Sequence, residues 1–268
     1  MTITLEEVIT TPNSGRTRAV VLDFHDYAQS VILQGRDVPW HQPTAYSNFF
    51  GQAQGLLKPD VALLDLGTLY ANAVATNDGL RSSLSARSRT GFALKTLLAN
   101  ETTAAAALEL ATVVSQTSAA PLVLQIPSPM LWLAVTHELS GAGAVADLTI
   151  DDAENAAMHI AGWLRRLSPL PVSMLILDER WTGTGDLPLV DGSAYTPVSN
   201  VTGNYRWALA RRTLDGVDIL GSEVTGTVVP QDYWLSDTTS ASDGDFLFAE
   251  IPPHAVPETV LSQLAKLT

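Results

Sequence analysis

The sequence predicts one α/β domain folded as a closed (β/α)8 barrel. The chain has 268 residues, which is the usual length of a single barrel of this class. About eight short apolar runs alternate with segments of helical composition, as parallel strands joined by helical crossovers require. Hydrophobic residues make up 46% of the chain and charged residues only 16%, so one large core can form. An open doubly wound parallel sheet is the alternative. In either case we expect one domain over residues 1–268, with 1–16 as a short N-terminal extension.

The first two strands are predicted from apolar runs that contain or end at carboxylates. Residues 18–23 (RAVVLD) follow a turn rich in Pro, Asn, Ser and Gly, and they are apolar enough for a strand buried on both faces. A helix is predicted over 44–57. The sequence Lys-Pro-Asp at 58–60 ends it before the second run, 61–66 (VALLDL). A helix that leads directly into a strand is typical of α/β proteins.

The middle of the chain continues this alternation. An Ala-rich helical region over 90–116, broken near Asn100, precedes a third strand at 121–126 (PLVLQI). A helix over 151–167 carries acidic residues at the positive end of its dipole and arginines near the negative end. A fourth strand is predicted at 172–177 (VSMLIL), and a cluster of polar residues follows it directly.

The last third of the chain is predicted from shorter patterns. Pro257 is well placed to begin a terminal helix, because proline suits the first helical turn. The predicted order is a strand at 194–199, a helix at 205–214, strands at 217–220 and near Val228, a last strand at 245–251 (DFLFAEI) and the terminal helix at 256–267.

Composition excludes several classes of function. The net charge of -13, from 15 basic and 28 acidic residues, disfavours a nucleic-acid partner. The chain has no cysteine, which excludes disulfides, thiolate metal sites and a thiol nucleophile. The N-terminal segment lacks the pattern of a secretory or transit peptide, so we expect a cytoplasmic protein with no membrane association. The expected partner is a small-molecule substrate, and a homodimer formed through the outer helices is a further option.

Polar residues that follow strands are the candidate catalytic groups, because the strand ends of one barrel rim face a common pocket. The predicted catalytic residues are Asp178, Glu179, Asp65 and His25. Carboxylates and a histidine at strand ends can exchange protons near neutral pH. The alternatives are a structural salt bridge for the two acids after the fourth strand and a backbone-bonded histidine after the first.

A second set of residues is predicted to bind substrate rather than to react with it. Asp23 ends the first strand, and Arg180 and Trp181 follow the fourth. Glu223 follows the strand at 217–220, and Tyr205 adds an aromatic wall. The alternative for Glu223 is a solvated loop acid.

No cofactor is expected. The sequence lacks a G-x-G-x-x-G fingerprint after a strand, a Walker sequence and a G-x-S-x-G elbow. It therefore lacks the motifs that dinucleotide binding, nucleoside-triphosphate binding and standard serine-hydrolase catalysis require. The alternative is one divalent metal, Zn, held by His25 with carboxylates from Asp65, Asp178, Glu179 or Glu223.

Four segments occur in an order that resembles a known superfamily. They are QAQGLLKPDVALLDLG (52–67), PLVLQIPSPMLWLA (121–134), VSMLILDERWTG (172–183) and GVDILGSEV (216–224). In this order the chain resembles the uroporphyrinogen decarboxylase and cobalamin-independent methionine synthase superfamily of (β/α)8 barrels. The resemblance implies decarboxylation or methyl transfer, with Asp65 as an active-site acid and Arg36 as the nearest counterpart of the decarboxylases' N-terminal arginine pair. The decarboxylases' late His motif and the methionine synthases' cysteine ligands have no counterpart.

We therefore predict a cofactor-independent lyase, decarboxylase-like or using related general acid–base chemistry, that acts on a small or medium carboxylated organic molecule. In this prediction Asp178 or Glu179 moves the proton, Asp65 and His25 assist, and Arg180 holds the anion. One alternative is a metal-dependent methyl or alkyl transferase or hydrolase. Another is a non-catalytic ligand-binding barrel.

Overall fold

A computed structural model describes residues 3–183, 185–235 and 244–267. Within these ranges one sheet of eight strands closes almost completely into a barrel, with strand order β1-β8-β7-β6-β5-β4-β3-β2. The predicted (β/α)8 barrel class is confirmed. The strands are β1 (Ala19–Asp23), β2 (Ala62–Asp65), β3 (Leu122–Pro127), β4 (Val172–Asp178), β5 (Ala208–Arg212), β6 (Gly216–Ile219), β7 (Thr225–Val229) and β8 (Phe246–Glu250).

Helices surround the barrel and connect most of its strands. They are α1 (Leu5–Thr10), α2 (His25–Val31), α3 (Pro43–Leu57), α4 (Leu66–Thr76), α5 (Asp78–Leu84), α6 (Phe92–Leu98), α7 (Glu101–Thr117), α8 (Pro129–Ser140), α9 (Ile150–Leu164), α10 (Thr196–Tyr205) and α11 (Pro257–Leu264). In the described ranges, no individual helix has the length and apolarity of a membrane span. Only α6 and α7 taken together, bent by 54°, meet that criterion by length and composition.

One strand reverses the barrel's direction. β6 is antiparallel to both β5 and β7, whereas every other neighbouring pair is parallel. The connections on either side of β6 are short turns, so no helix covers the barrel there. The β5–β6 turn therefore lies at the carboxyl rim of the parallel strands, and the β6–β7 turn lies at the opposite, amino rim.

Two element predictions are wrong just before this reversal. Residues 194–199, predicted as a strand, form a 3-10 turn (Gly192–Tyr195) and the start of α10, where Pro197 occupies the first helical turn. Residues 205–214, predicted as a helix, contain β5. Ala, Leu and Arg favour helices locally, but parallel pairing with β4 overrides that preference.

The barrel interior is apolar toward its amino rim. Alternate side chains of the strands point inward and form one cluster, which includes Val21, Leu63, Ile176 and Phe248. The predicted N-terminal extension contains α1, which adds Leu5 to this cluster, while residues 1 and 2 lie outside the described ranges. Apolar filling leaves only the carboxyl rim open for polar side chains.

A buried carboxylate joins the two strands at the ends of the sheet order, β1 and β2. The Asp60 side chain is fully buried and accepts hydrogen bonds from the Val20 amide (2.9 Å) and from the Ser14 amide (2.7 Å) and hydroxyl (3.0 Å). The Asp60 amide in turn donates to the Val20 carbonyl (3.2 Å). The hydrogen bonds of Asp60 thus take the place of a regular ladder between β1 and β2. This junction, here called the seam, places Asp23 beside Asp65.

Candidate functional site

Six strands carry an inward-pointing polar side chain at or near their carboxyl ends. Each of these residues lies two positions after an inward apolar residue, so the alternation of the strand aims it at the barrel axis. They are Asp23, Asp65, Gln125, Asp178, Arg212 and Glu250. The carboxyl rim of the barrel is therefore a ring of charged and amide groups above an apolar plug.

A polar chamber of about 430 Å³ opens on this ring. It contains six of the ten residues that the sequence predicts for the site: Asp23, His25, Asp65, Asp178, Arg180 and Trp181. The other lining residues are Asp26, Thr68, Gln125, Thr182, Leu214, Glu250 and Ile251. The structure brings together Asp23, Asp65 and Asp178, three of the four acids expected to share a pocket, whereas the fourth, Glu223, does not line the chamber.

Four charged side chains form a chain of ion pairs along one wall. Arg180 contacts Asp178 (2.7 Å) and Glu250 (2.7 Å), and Glu250 also accepts a hydrogen bond from Arg212 (2.6 Å). The neighbouring Asp178 and Glu250 carboxylates hold the pKa of Arg180 above its usual range. Two acids and two arginines cancel in charge, so this wall is rigid and close to neutral.

Asp23 is the least constrained carboxylate of the ring. Its described polar contacts are a long bond from the His25 amide (3.5 Å) and an ion pair with Arg212 at 3.9 Å. Burial raises the pKa of Asp23 from 3.8 to about 6, and the nearby Asp65 and Glu250 carboxylates act in the same direction. A carboxylate with such a pKa can take up and release a proton near neutral pH.

Asp65 lies across the seam from Asp23 and is held more firmly. It caps α4 by accepting bonds from the Thr68 amide (3.1 Å) and hydroxyl (2.9 Å), and Gln125 donates to it as well (3.3 Å). Burial nevertheless raises its pKa. The two acids together leave the chamber with an excess of negative charge.

His25 is the only histidine in the described chamber lining, and its ring is fixed by aromatic contacts. The imidazole stacks on Trp40 at 4.8 Å between ring centroids and meets the edge of Phe49. Neither ring nitrogen makes a hydrogen bond to the described residues, although Asp26 lies 3.6 Å from Nδ1. The His25 side chain lowers the pKa of Asp26. Both nitrogens are also shielded from solvent, and a buried polar atom without a partner is a candidate for a functional contact.

Trp181 forms part of the chamber's outer rim. Its indole N–H donates to the Gly185 carbonyl (2.9 Å), and the ring lies directly against Gly183. A Cβ at position 183 would lie 2.3 Å from the Trp181 ring, so only glycine permits this contact. Trp181 lines the chamber, and its role in binding substrate stays a prediction.

An apolar groove of about 460 Å³ continues from the chamber between α4 and α8. The two spaces share Asp65, Thr68, Gln125 and Asp178. Beyond these shared residues the groove is lined mainly by hydrocarbon and aromatic side chains, which include Ala71, Val74, Leu97, Ile126, Leu131, Trp132, Val135 and Leu139. The complete site thus has one charged end and one apolar end.

Glu179, predicted as catalytic, does not line the chamber, and this prediction is wrong. Successive side chains of a strand point to opposite faces, so Glu179 points away from Asp178's side of the sheet. There it forms a two-bond ion pair with Arg211 (3.0 and 2.7 Å). Its role is the structural salt bridge that the sequence offers as the alternative.

Three predicted binding residues also lie outside the chamber. Glu223 is exposed in the β6–β7 turn, at the amino rim, because β6 runs antiparallel. Tyr205 ends α10 just before β5 begins, so it also lies at the amino rim, where it packs on Trp207. Arg36 is exposed, and its guanidinium donates to the Leu33 carbonyl (3.0 Å). These three predictions are wrong.

Sequence reasoning missed Gln125 and Arg212 as members of the ring, and it offered Glu250, at the end of the last strand, only as a weaker candidate. Strand alternation is a signal that could have found Gln125 and Glu250, since each is the polar residue at an inward position near a strand end. Arg212 has no such signal, because its strand has the local composition of a helix. It is 2% exposed and lies over the Phe248 ring at 3.9 Å.

No group of three or more His, Asp or Glu side chains in the described ranges is arranged to hold a metal ion. The predicted zinc alternative stays a prediction that elemental analysis can test.

No family model, curated protein or solved structure matches this chain. The resemblance to the uroporphyrinogen decarboxylase and methionine synthase superfamily accordingly stays a prediction. The site must be interpreted from its own geometry.

Asp23→Asn is expected to stabilise the fold at alkaline pH. Because the pKa of Asp23 is raised to about 6 in the folded chain, the native state binds this proton more tightly than the unfolded state, and stability falls as pH rises from about 4 to 6. Asparagine removes that penalty. At about pH 8 the free energy of unfolding should rise by up to about 3 kcal/mol.

Urea unfolding at several pH values checks this expectation. The gain should shrink to nearly nothing below about pH 4, where Asp23 is protonated in both states. An Asn variant whose stability relative to the unsubstituted chain does not change with pH would contradict it.

Proposed function

We propose that the protein is an enzyme of the lyase type that acts on a small or medium organic molecule by general acid–base catalysis in the polar chamber. One observation carries this proposal: Asp23 is partly buried, weakly bonded and has a pKa of about 6, beside a second acid and a histidine whose ring nitrogens have no hydrogen-bond partner among the described residues. Perturbed ionisable groups that converge in a cleft are typical of catalytic sites.

The proposed roles follow from how firmly each group is held. Asp23 acts as the base that removes a proton from the substrate, because it is the ring carboxylate with the fewest bonds to lose. His25 acts as the acid that supplies a proton to the departing group, since its ring lines the chamber and both of its nitrogens lack a hydrogen-bond partner among the described residues. Asp65 positions the substrate and keeps the pKa of Asp23 raised.

The ion-pair wall has a supporting role in this proposal. Asp178, predicted from the sequence to move the proton, is already held by Arg180 through short bonds to both carboxylate oxygens. A carboxylate engaged in this way is a poor base, because protonation would break those bonds. Asp178 and Arg180 therefore shape the chamber and shield its negative charge.

The carboxylated-substrate part of the sequence prediction receives little support from this charge distribution. Arg180 and Arg212 both bind carboxylates of the chain itself, and Asp23 and Asp65 add negative charge. A neutral or cationic group beside those two acids is favoured by Coulomb's law.

Deuterium incorporation tests the proposed function with a mixture of candidate substrates. The purified protein is incubated in D2O with pooled small organic molecules, and mass spectrometry detects products that have gained deuterium or lost a small fragment. We expect such a product with the unsubstituted chain and with Glu179→Gln, which alters an acid outside the chamber. We expect none with the double variant Asp23→Asn/Asp65→Asn. Equal product from the unsubstituted chain and the double variant would contradict the proposal.

A further inference from the structure

The charged chamber and the apolar groove adjoin, because Asp65, Thr68, Gln125 and Asp178 line both. A ligand that contacts the acids at this junction lies close to the groove between α4 and α8. The combined space suits a molecule with two chemically different ends.

The polar side chains of the groove are already bonded within the chain. The Tyr70 hydroxyl accepts a bond from the Trp163 indole (2.7 Å), and the Thr136 hydroxyl donates to the Trp132 carbonyl (2.8 Å). The Arg81 guanidinium donates to the Val74 carbonyl (3.1 Å). Gln125 Oε1, at the junction with the chamber, is a buried groove-lining atom that lacks a partner among the described residues, and beyond it the groove offers mainly apolar contact area, which favours an aliphatic or aromatic substituent.

The charged end favours a cation. The charges of the ion-pair wall cancel, because it contains two acids (Asp178 and Glu250) and two arginines (Arg180 and Arg212). The excess negative charge therefore comes from Asp23 and Asp65. The positive charge nearest to Asp23 in the described ranges is Arg212, 3.9 Å away, which leaves Asp23 without a short ion pair. An ammonium group next to these two acids would supply the missing opposite charge and donate up to three hydrogen bonds.

From these observations we infer that the substrate is an amphipathic amine, with its ammonium group against Asp65, beside Asp23, and its apolar group in the groove between α4 and α8. The inference rests on the proposed function, because Asp65 is the acid that positions the substrate there and Asp23 keeps its role as the base. It concerns binding alone, so it can be measured without turnover.

Calorimetric titration with four probes tests this inference at about pH 8, where Asp23 is ionised. The probes are phenylbutylamine, butylamine, phenylbutanol and phenylbutyrate. We expect phenylbutylamine to bind about tenfold more tightly than phenylbutanol, because of its charge. Phenylbutylamine should also bind at least about tenfold more tightly than butylamine, because its phenyl ring is buried in the groove. Phenylbutyrate should bind least.

Two variants assign the ends of the ligand. Asp65→Asn keeps the cap of α4, and it should weaken both amines about tenfold while leaving phenylbutanol unchanged. Ala71→Leu fills the groove and should weaken phenylbutylamine about tenfold but not butylamine. Ala105→Leu, an equally exposed helical alanine on α7, is the matched control and should change nothing.

The inference is overturned if phenylbutyrate binds as tightly as phenylbutylamine, if no probe binds at millimolar concentration, or if Ala71→Leu weakens both amines equally. The outcome is separable from that of the proposed function. Selective amine binding with no deuterium transfer would refute the catalytic proposal alone, and deuterium transfer with no amine preference would refute only the substrate class.

Discussion

Asp23→Asn is expected to lower the rate of substrate turnover about 10²- to 10⁴-fold, the usual contribution of a general base. Asparagine has nearly the same shape as aspartate but cannot take up a proton. The surrounding contacts are few and long, so the substitution should leave the fold intact. The rate is measured as formation of the product that the D2O experiment identifies.

The pH dependence of the unsubstituted enzyme gives an independent measure of the same role. A base must be ionised to act, so kcat/KM should rise with pH through about 6, the raised pKa of Asp23. Glu179→Gln, which alters an acid that pairs with Arg211 outside the chamber, is the matched control and should keep most of the activity. Turnover by Asp23→Asn within about threefold of the unsubstituted enzyme would contradict the assignment.

Asp60→Ala is expected to lower the free energy of unfolding by about 3 to 5 kcal/mol, the range for removing one partner of a buried ionic network. The substitution leaves two buried amide donors, of Val20 and Ser14, without their acceptor, and it removes the partner of Arg16 at 3.7 Å. The seam between β1 and β2 is not held by a regular ladder, so few other bonds can replace these.

Urea unfolding of Asp60→Ala and of a matched surface variant checks this expectation. Asp78 is exposed and pairs with Arg81 at 3.1 Å, so Asp78→Ala should cost less than about 1 kcal/mol. Equal effects of the two substitutions would show that the buried carboxylate does not hold the seam. Because the seam also positions Asp23 beside Asp65, loss of activity in Asp60→Ala at a temperature where it is folded would support this placement.

Much of the candidate site was predictable because it lies at the ends of strands whose patterns are strong. The runs at 18–23, 61–66, 121–126 and 172–177 are continuous and apolar, and each became a parallel strand. Strand alternation then determines which polar residue faces inward. Applying it to the fourth strand separates Asp178, which lines the chamber, from Glu179, which does not.

The errors concentrate where local preference and tertiary pairing disagree. Residues 205–214 have helical composition, yet their pairing with β4 makes β5 a strand and brings Arg212 to the rim. Chain order alone places Glu223 at the rim, because it follows a strand. The sequence offers no local signal that β6 runs in the opposite direction, since direction depends on which neighbours a strand pairs with.

By itself the sequence determined the barrel class, the acidic balance and the identity of the acids after the strong strands, because apolar periodicity and composition are local properties of the chain. Only the tertiary structure decided which acids share a chamber, which arginines neutralise them and how an apolar groove joins the charged end. Those features depend on contacts between residues far apart in the chain, such as Arg180 with Glu250 and Asp23 with Asp65, and burial then determines the pKa that makes Asp23 a base.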